Sequence, residues 1–291
     1  MTVTMPPPAR PASRWLTPVR ATTAVLGLSL VGLGVATVVT QFATRVTDET
    51  LVVSDPVSSL TVDVSAGDVT VRTGPAGGPV TVRVHSRAAV REAGWTRTMD
   101  DGNLGLTGRC EGGWPIDSCS VAFDVLVPAD QAGDLTVDLR TGSGDQTLSG
   151  LAGPATLRTG AGDVRVTGFT GPTLKVTTGS GDIRAGRLES GGAELRTGTG
   201  DIDAEFTAAT TGVSARTGTG DVTAWFTVAP VAVDTRADTG DVRLFVPEDG
   251  THYDVTGASR TGDRRIEVPT GSSTHRLGAD TGSGDVTVKF R

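Results

Sequence analysis

The chain has 291 residues, of which 37% are hydrophobic, 20% charged and 4% aromatic, and it carries 40 glycines. Such a composition excludes a disordered polymer and, with abundant Thr and Val, suits many short strands joined by tight turns. A formal net charge of −7 excludes wrapping of nucleic acid, which needs a basic face to meet phosphate.

Residues 1–20 form a Pro/Arg-rich tail, with Arg10, Arg14 and Arg20 and no acid. Residues 21–43 then run without a charge. As a helix at ~1.5 Å per residue they reach about 34 Å, enough for a ~30 Å hydrocarbon core. The arginines before this stretch, against Arg45, Asp48, Glu49 and Asp55 after it, place the N-terminus in the cytoplasm. A cleaved signal peptide fits less well, because its apolar stretch is shorter and Gln41 stands where a small residue is needed. The expectation is a single-pass cell-membrane protein, with 44–50 a juxtamembrane linker and everything beyond extracytoplasmic.

Residues 51–133 read as an N-terminal β region. In SLTVDVSAGDVTV, Leu60 and Val62 precede Asp68, and Val69 and Val71 follow it. Val80, Val82 and Val84, then Val121, Phe123, Val125 and Val127, alternate as strands do. Residues 85–120 interrupt them as an insertion or a set of degenerate rungs, carrying Trp95, Trp114, Cys110 and Cys119. Two cysteines at close spacing on an oxidising side predict a disulfide, with a chain-entropy contribution of ~2.5–3 kcal/mol.

Residues 134–291 repeat one phrase: RTGSGD, RTGAGD, TTGSGD, RTGTGD twice, and DTGSGD. Aligned on its aspartate, the unit recurs at Asp145, Asp163, Asp182, Asp201, Asp221, Asp241, Asp263 and Asp285, in steps of 18 to 22 residues. The positions eight and six before the anchor, and one and three after it, are mostly apolar. Pairs two apart share one face of a strand, so each unit is a rung and the columns line a narrow core. The pattern predicts an all-β, single-stranded β-solenoid (β-helix-like) of ~19–22-residue rungs, preceded by the transmembrane helix, with a sandwich or β-prism as the second choice.

The corners are assigned to Gly144–Asp145, Gly162–Asp163, Gly181–Asp182, Gly200–Asp201, Gly220–Asp221 and Gly284–Asp285. Glycine permits the sharp turn, and the aspartate bonds the turn's own amides. Arg140, Arg158, Arg196, Arg216 and Arg236, five before the anchor, are expected to offset the stacked carboxylates.

Calcium at Asp145, Asp163, Asp182, Asp201 and Asp221 is the sharper alternative. Against it, the midpoint of each unit lacks a second aspartate and the arginines oppose a cation. Three scattered histidines and the absence of nucleophile-elbow, zinc or Walker phrases argue against catalysis and any cofactor. Trp95, Trp114, Trp225 and Tyr253 are surface aromatics that either stack on glycans or pack the coil ends.

Through its VxLRTGSGDV-type rungs and the phrase VAFDVLVPAD at 121–130, the chain resembles the bacterial "putative adhesin" domain family of unknown function over residues 51–291. The resemblance implies a membrane-anchored, extracytoplasmic β-repeat domain, sometimes tied to envelope stress, with no catalytic residues to carry over. The expectation is a non-catalytic scaffold whose partners are cell-wall polymer, an envelope protein or a second copy. A regulatory partner of a membrane sensor and a surface glycan enzyme are the alternatives.

Overall fold

A computed structural model describes residues 45–88, 93–110 and 119–291, so the predicted membrane segment and Trp114 lie outside the described residues. The described chain is all-β. Its N-terminal part holds β1 (Arg45–Val53), β2 (Ser59–Ala66), β3 (Val69–Gly74), β4 (Val80–Ala88), β5 (Ala93–Asp100), β6 (Asn103–Cys110) and β7 (Cys119–Pro128).

The regular part holds β8 (Thr136–Ser143), β9 (Gln146–Ser149), β10 (Ala155–Ala161), β11 (Val164–Thr167), β12 (Thr173–Ser180), β13 (Ile183–Leu188), β14 (Gly192–Thr199), β15 (Ile202–Phe206), β16 (Gly212–Thr219), β17 (Val222–Phe226), β18 (Ala232–Thr239) and β19 (Val242–Val246). The C-terminal part holds β20 (Asp254–Thr256), β21 (Ser259–Thr261), β22 (Arg264–Ile266), β23 (Arg276–Ser283) and β24 (Val286–Phe290).

These strands make two long sheets, each built mainly of parallel pairs, as expected of a β-solenoid. Each regular rung gives one strand to each sheet, with the Gly-Asp corner between them. The predicted columns face the space between the sheets: Val137, Ala155, Leu174, Ala193, Val213 and Val233 are all buried and pair in register. Phe206 stacks on Phe226 in the same interior, with centroids 5.0 Å apart. A buried leucine here, such as Leu157, is worth about 2–5 kcal/mol over alanine.

Order along the stack departs from order along the chain at both ends. β2 lies between β6 and β8, and β3 between β7 and β9. The first rung is therefore enclosed by a later one. At the far end β23 pairs with β18 on one side and with β20 and β21 on the other, while β24 lies between β19 and β22. The irregular Asp263 unit thus sits outermost and the last unit of the sequence stands inside it.

The interruption at 85–120 resolves accordingly. β6 and β7 form a rung, and β4 and β5 extend the sheets antiparallel to β7 and β6. Residues 45–50, expected as linker, belong to β1, an exposed edge strand antiparallel to β4.

Candidate binding face

The corner aspartates form a ladder between rungs rather than turns within one. Asp163 N–H donates to Asp145 Oδ1 at 2.8 Å, Asp182 N–H to Asp163 Oδ1 at 2.9 Å, and Asp201 N–H to Asp182 Oδ1 at 2.9 Å. The same bond continues through Asp221 and Asp241, reaches back to Asp68, and ends through Asp285 at Asp263. This corrects the expected turn: each carboxylate holds the neighbouring corner's amide, as close stacking places that N–H nearer than its own.

Gly200 shows why glycine is required here. Its φ is +140°, and a Cβ would stand 2.1 Å from Gly181 O of the adjacent rung. A second ladder runs inside the corner, where buried Thr159, Thr178, Thr197 and Thr217 donate their hydroxyls to glycine carbonyls of the rung before at 2.9–3.1 Å. Polar threonine at an inward position gives no sign of burial in the sequence, because its burial depends on an acceptor supplied by the preceding rung.

The expected arginine partners are also corrected. Arg140 and Arg158 pair with Asp138, Arg196 with Glu194, Arg216 with Asp234 and Arg236 with Asp238, none of them a corner residue. These arginines and their partners stand on the strands β8 to β18 that precede the corners, so the ion pairs form along that sheet. Arginines two residues after the anchor do reach it: Arg184 meets Asp182 at 2.7 Å and Asp163 at 3.5 Å, and Arg243 meets Asp221 and Asp241. Burial opposes ionisation of Asp221, yet the Asp241 amide and Arg243 hold its carboxyl below the usual range. The five aspartates weighed for calcium thus have their Oδ1 atoms on backbone amides, and no cluster of three metal-ligating side chains occurs among the described residues.

The outward columns of the β9-to-β24 sheet carry a different pattern. Two and four residues after the anchors stand Arg165 and Thr167, Arg184 and Gly186, Asp203 and Glu205, Thr223 and Trp225, and Thr287 and Lys289. Together with Phe245, most of them line an open groove of about 660 Å³. Trp225 and Phe245, paired in register on β17 and β19, stack with centroids 5.6 Å apart and planes 11° from parallel.

Lys289 lies 5.3 Å from the Phe245 centroid, and Arg291 meets Glu205 at 3.2 Å. Gly186 opens the opposite side, where a Cβ would meet nothing within 4 Å and the register of β13 shifts by a bulge. Burial, and then the Asp201 carboxylate beside it, push the Asp203 carboxyl above the usual range.

The other candidate aromatics are used in packing. Tyr253 is fully buried, contrary to its expected exposure, and burial pushes its hydroxyl up to about 12. Trp95 meets Phe123 edge-on at 6.4 Å. Cys110 and Cys119 form a disulfide that joins the end of β6 to the start of β7. It closes the β6–β7 rung, which has no Gly-Asp phrase.

Stacked rungs, an interior filled by ladders and an open polar-aromatic face define an all-β repeat domain. The chain belongs to the Toastrack DUF4097 family, whose model matches residues 57–290. Among solved structures it is similar to a "putative adhesin" from Bacteroides fragilis, at 14% identity and TM-score 0.48, over 85% of this chain and 97% of that one. A "putative adhesin" from Parabacteroides merdae matches at 9% identity and TM-score 0.37, over 84% and 96%. A "putative cell adhesion protein" from Clostridium sporogenes matches at 9% and 0.31, over 85% and 100%. No curated protein matches the chain.

Proposed function

We propose that this chain is a single-pass membrane protein whose residues from about 45 onward form an extracytoplasmic, non-catalytic binding scaffold. Residues 134–291 form its regular stack, carried on the N-terminal β region at 51–133. One observation carries the binding reading. The corner carboxylates are engaged with backbone amides, while the outer face gathers Trp225, Phe245 and paired charges around an open groove. Rigid strands hold these side chains in place, which suits recognition without a moving part. Anchoring rests on the uncharged stretch 21–43 and the arginines before it.

The test uses the full-length chain in intact bacteria, with a tag at each end. External protease is expected to remove the C-terminal tag and spare the N-terminal one; protection of the C-terminal tag contradicts the topology. New reducing ends released from a glycan by the purified chain, and lost in Asp203→Asn, would contradict the non-catalytic reading.

A further inference from the structure

Resting on that scaffold reading, we infer that the groove over Trp225 and Phe245 is a binding site for an acidic glycan, a sugar polymer bearing carboxylates. The groove lies on a sheet face, not at an edge. Backbone groups of β15, β17 and β19 are spent on their neighbours in the parallel ladder, and β24 is held by β19 on one side and, up to Val288, by β22 on the other. A peptide that adds a strand has no main-chain partners here, so recognition falls to side chains alone. Those present are an aromatic shelf with donors and acceptors beside it, which suits a pyranose. Its C–H face lies on an aromatic ring while its hydroxyls meet carboxylate and guanidinium.

Charge selects among glycans. Of the four cations that line the groove, Arg184 is paired with Asp182 and Arg291 with Glu205, while Arg165 and Lys289 carry no ion pair among the described residues and are left to meet an anionic ligand. The cations fall toward its two ends. Arg165 stands exposed on β11, while Lys289 and Arg291 stand on and after β24. Five interstrand steps separate β11 from β24, or about 24 Å at ~4.8 Å each. That length accommodates several sugar units, with anionic groups at the ends and an uncharged ring face over Trp225. Asp203 and Glu205, between the cations, disfavour an anionic lipid surface, which would set headgroup phosphate against them.

Gly186 supplies a test that leaves the fold intact, because its Cβ position is open. Full-length protein in detergent micelles would be titrated with polygalacturonate, alginate and hyaluronate, and with fully methyl-esterified polygalacturonate as the uncharged counterpart. At least one acidic polymer is expected to bind. Esterification, Trp225→Ala and Gly186→Trp are each expected to weaken binding at least tenfold, with the unfolding transition of both variants close to that of the parent. Failure to bind any of the three polymers overturns the proposal. So does binding that survives both Trp225→Ala and Gly186→Trp; that outcome leaves the scaffold reading standing with its site elsewhere. Binding to phosphatidylglycerol vesicles, lost in Trp225→Ala without glycan binding, overturns it in favour of a lipid surface.

Discussion

The six regular rungs from β8 to β19 and the rungs at the two ends obey the same corner chemistry but different connectivity. In the middle, each corner amide finds its carboxylate 18 to 20 residues away in the chain. At the ends the separation is 77 residues for Asp145 with Asp68 and 44 for Asp285 with Asp241. Middle rungs stack by repetition; end rungs are enclosed by later or earlier chain. The outermost strands are also unlike the rest. β1 is exposed, β5 is antiparallel and β22 is a three-residue strand carrying Arg264 and Arg265. Short, charged or antiparallel margins hinder edge-to-edge addition of another chain, the standing hazard of an open parallel stack.

The largest effect is expected at a middle corner. Gly200→Ala forces a Cβ onto Gly181 O at unfavourable φ, and is expected to lose about 3 kcal/mol in chemical denaturation. Gly186→Ala, on an open face, is expected to change stability by less than about 1 kcal/mol. Equal effects would deny the corner its special geometry.

Next in size is the N-terminal end, where the disulfide replaces the missing phrase. Cys110→Ser with Cys119→Ser is expected to cost about 2.5–3 kcal/mol. Hydrogen exchange should quicken in β6 and β7 and stay unchanged in β14 to β17; a uniform increase would mean that the ends are not separable from the middle.

Smaller again is the ladder itself. Asp182→Ala removes the acceptor of the Asp201 amide and is expected to cost about 1–2 kcal/mol, while Asp182→Asn keeps an oxygen there and loses less. No difference between the two would show that the bond to Asp201 contributes nothing.

The smallest expected effect is pH-dependent. The folded Asp203 carboxyl titrates above the ordinary Asp value of 3.8, so its ionisation costs stability as pH rises through the folded pKa and costs nothing below 3.8. Asp203→Asn is therefore expected to be more stable than the parent at neutral pH, with the gain fading as pH falls toward 3.8. A gain independent of pH would assign the effect to packing.

Much of the middle was legible because two periods coincide in it. Alternation of two set the faces of each strand, and the recurrence of aspartate aligned the rungs, so Leu139, Leu157, Val176 and Leu195 read directly as one buried column. Thr159 and Thr178 carry no local sign of burial, since a hydroxyl goes inside only where another rung offers a carbonyl. Arg158 and Arg196 recur five residues before the corner in step with the aspartates, yet their partners are Asp138 and Glu194 on the strands before the corner. Trp225 was visible singly, but its pairing with Phe245 appears only when outward columns are aligned as well. The enclosed order at the ends rests on pairings 44 and 77 residues apart, for which no local pattern gives a signal.

The enclosed order is tested most directly by two cysteine pairs. Asp234 lies opposite Gly278, where an added Cβ would stand 3.5 Å from the Asp234 carboxylate, and Thr256 lies opposite Gly278 on the far side. Asp234 and Thr256 are thus two strand spacings apart, about 10 Å. Oxidation or a short bifunctional thiol reagent is expected to link Asp234→Cys to Gly278→Cys and to leave Asp234→Cys with Thr256→Cys unlinked. The reverse, linkage of the 234–256 pair alone, would mean that the rungs stack in the order of the sequence and would contradict the account.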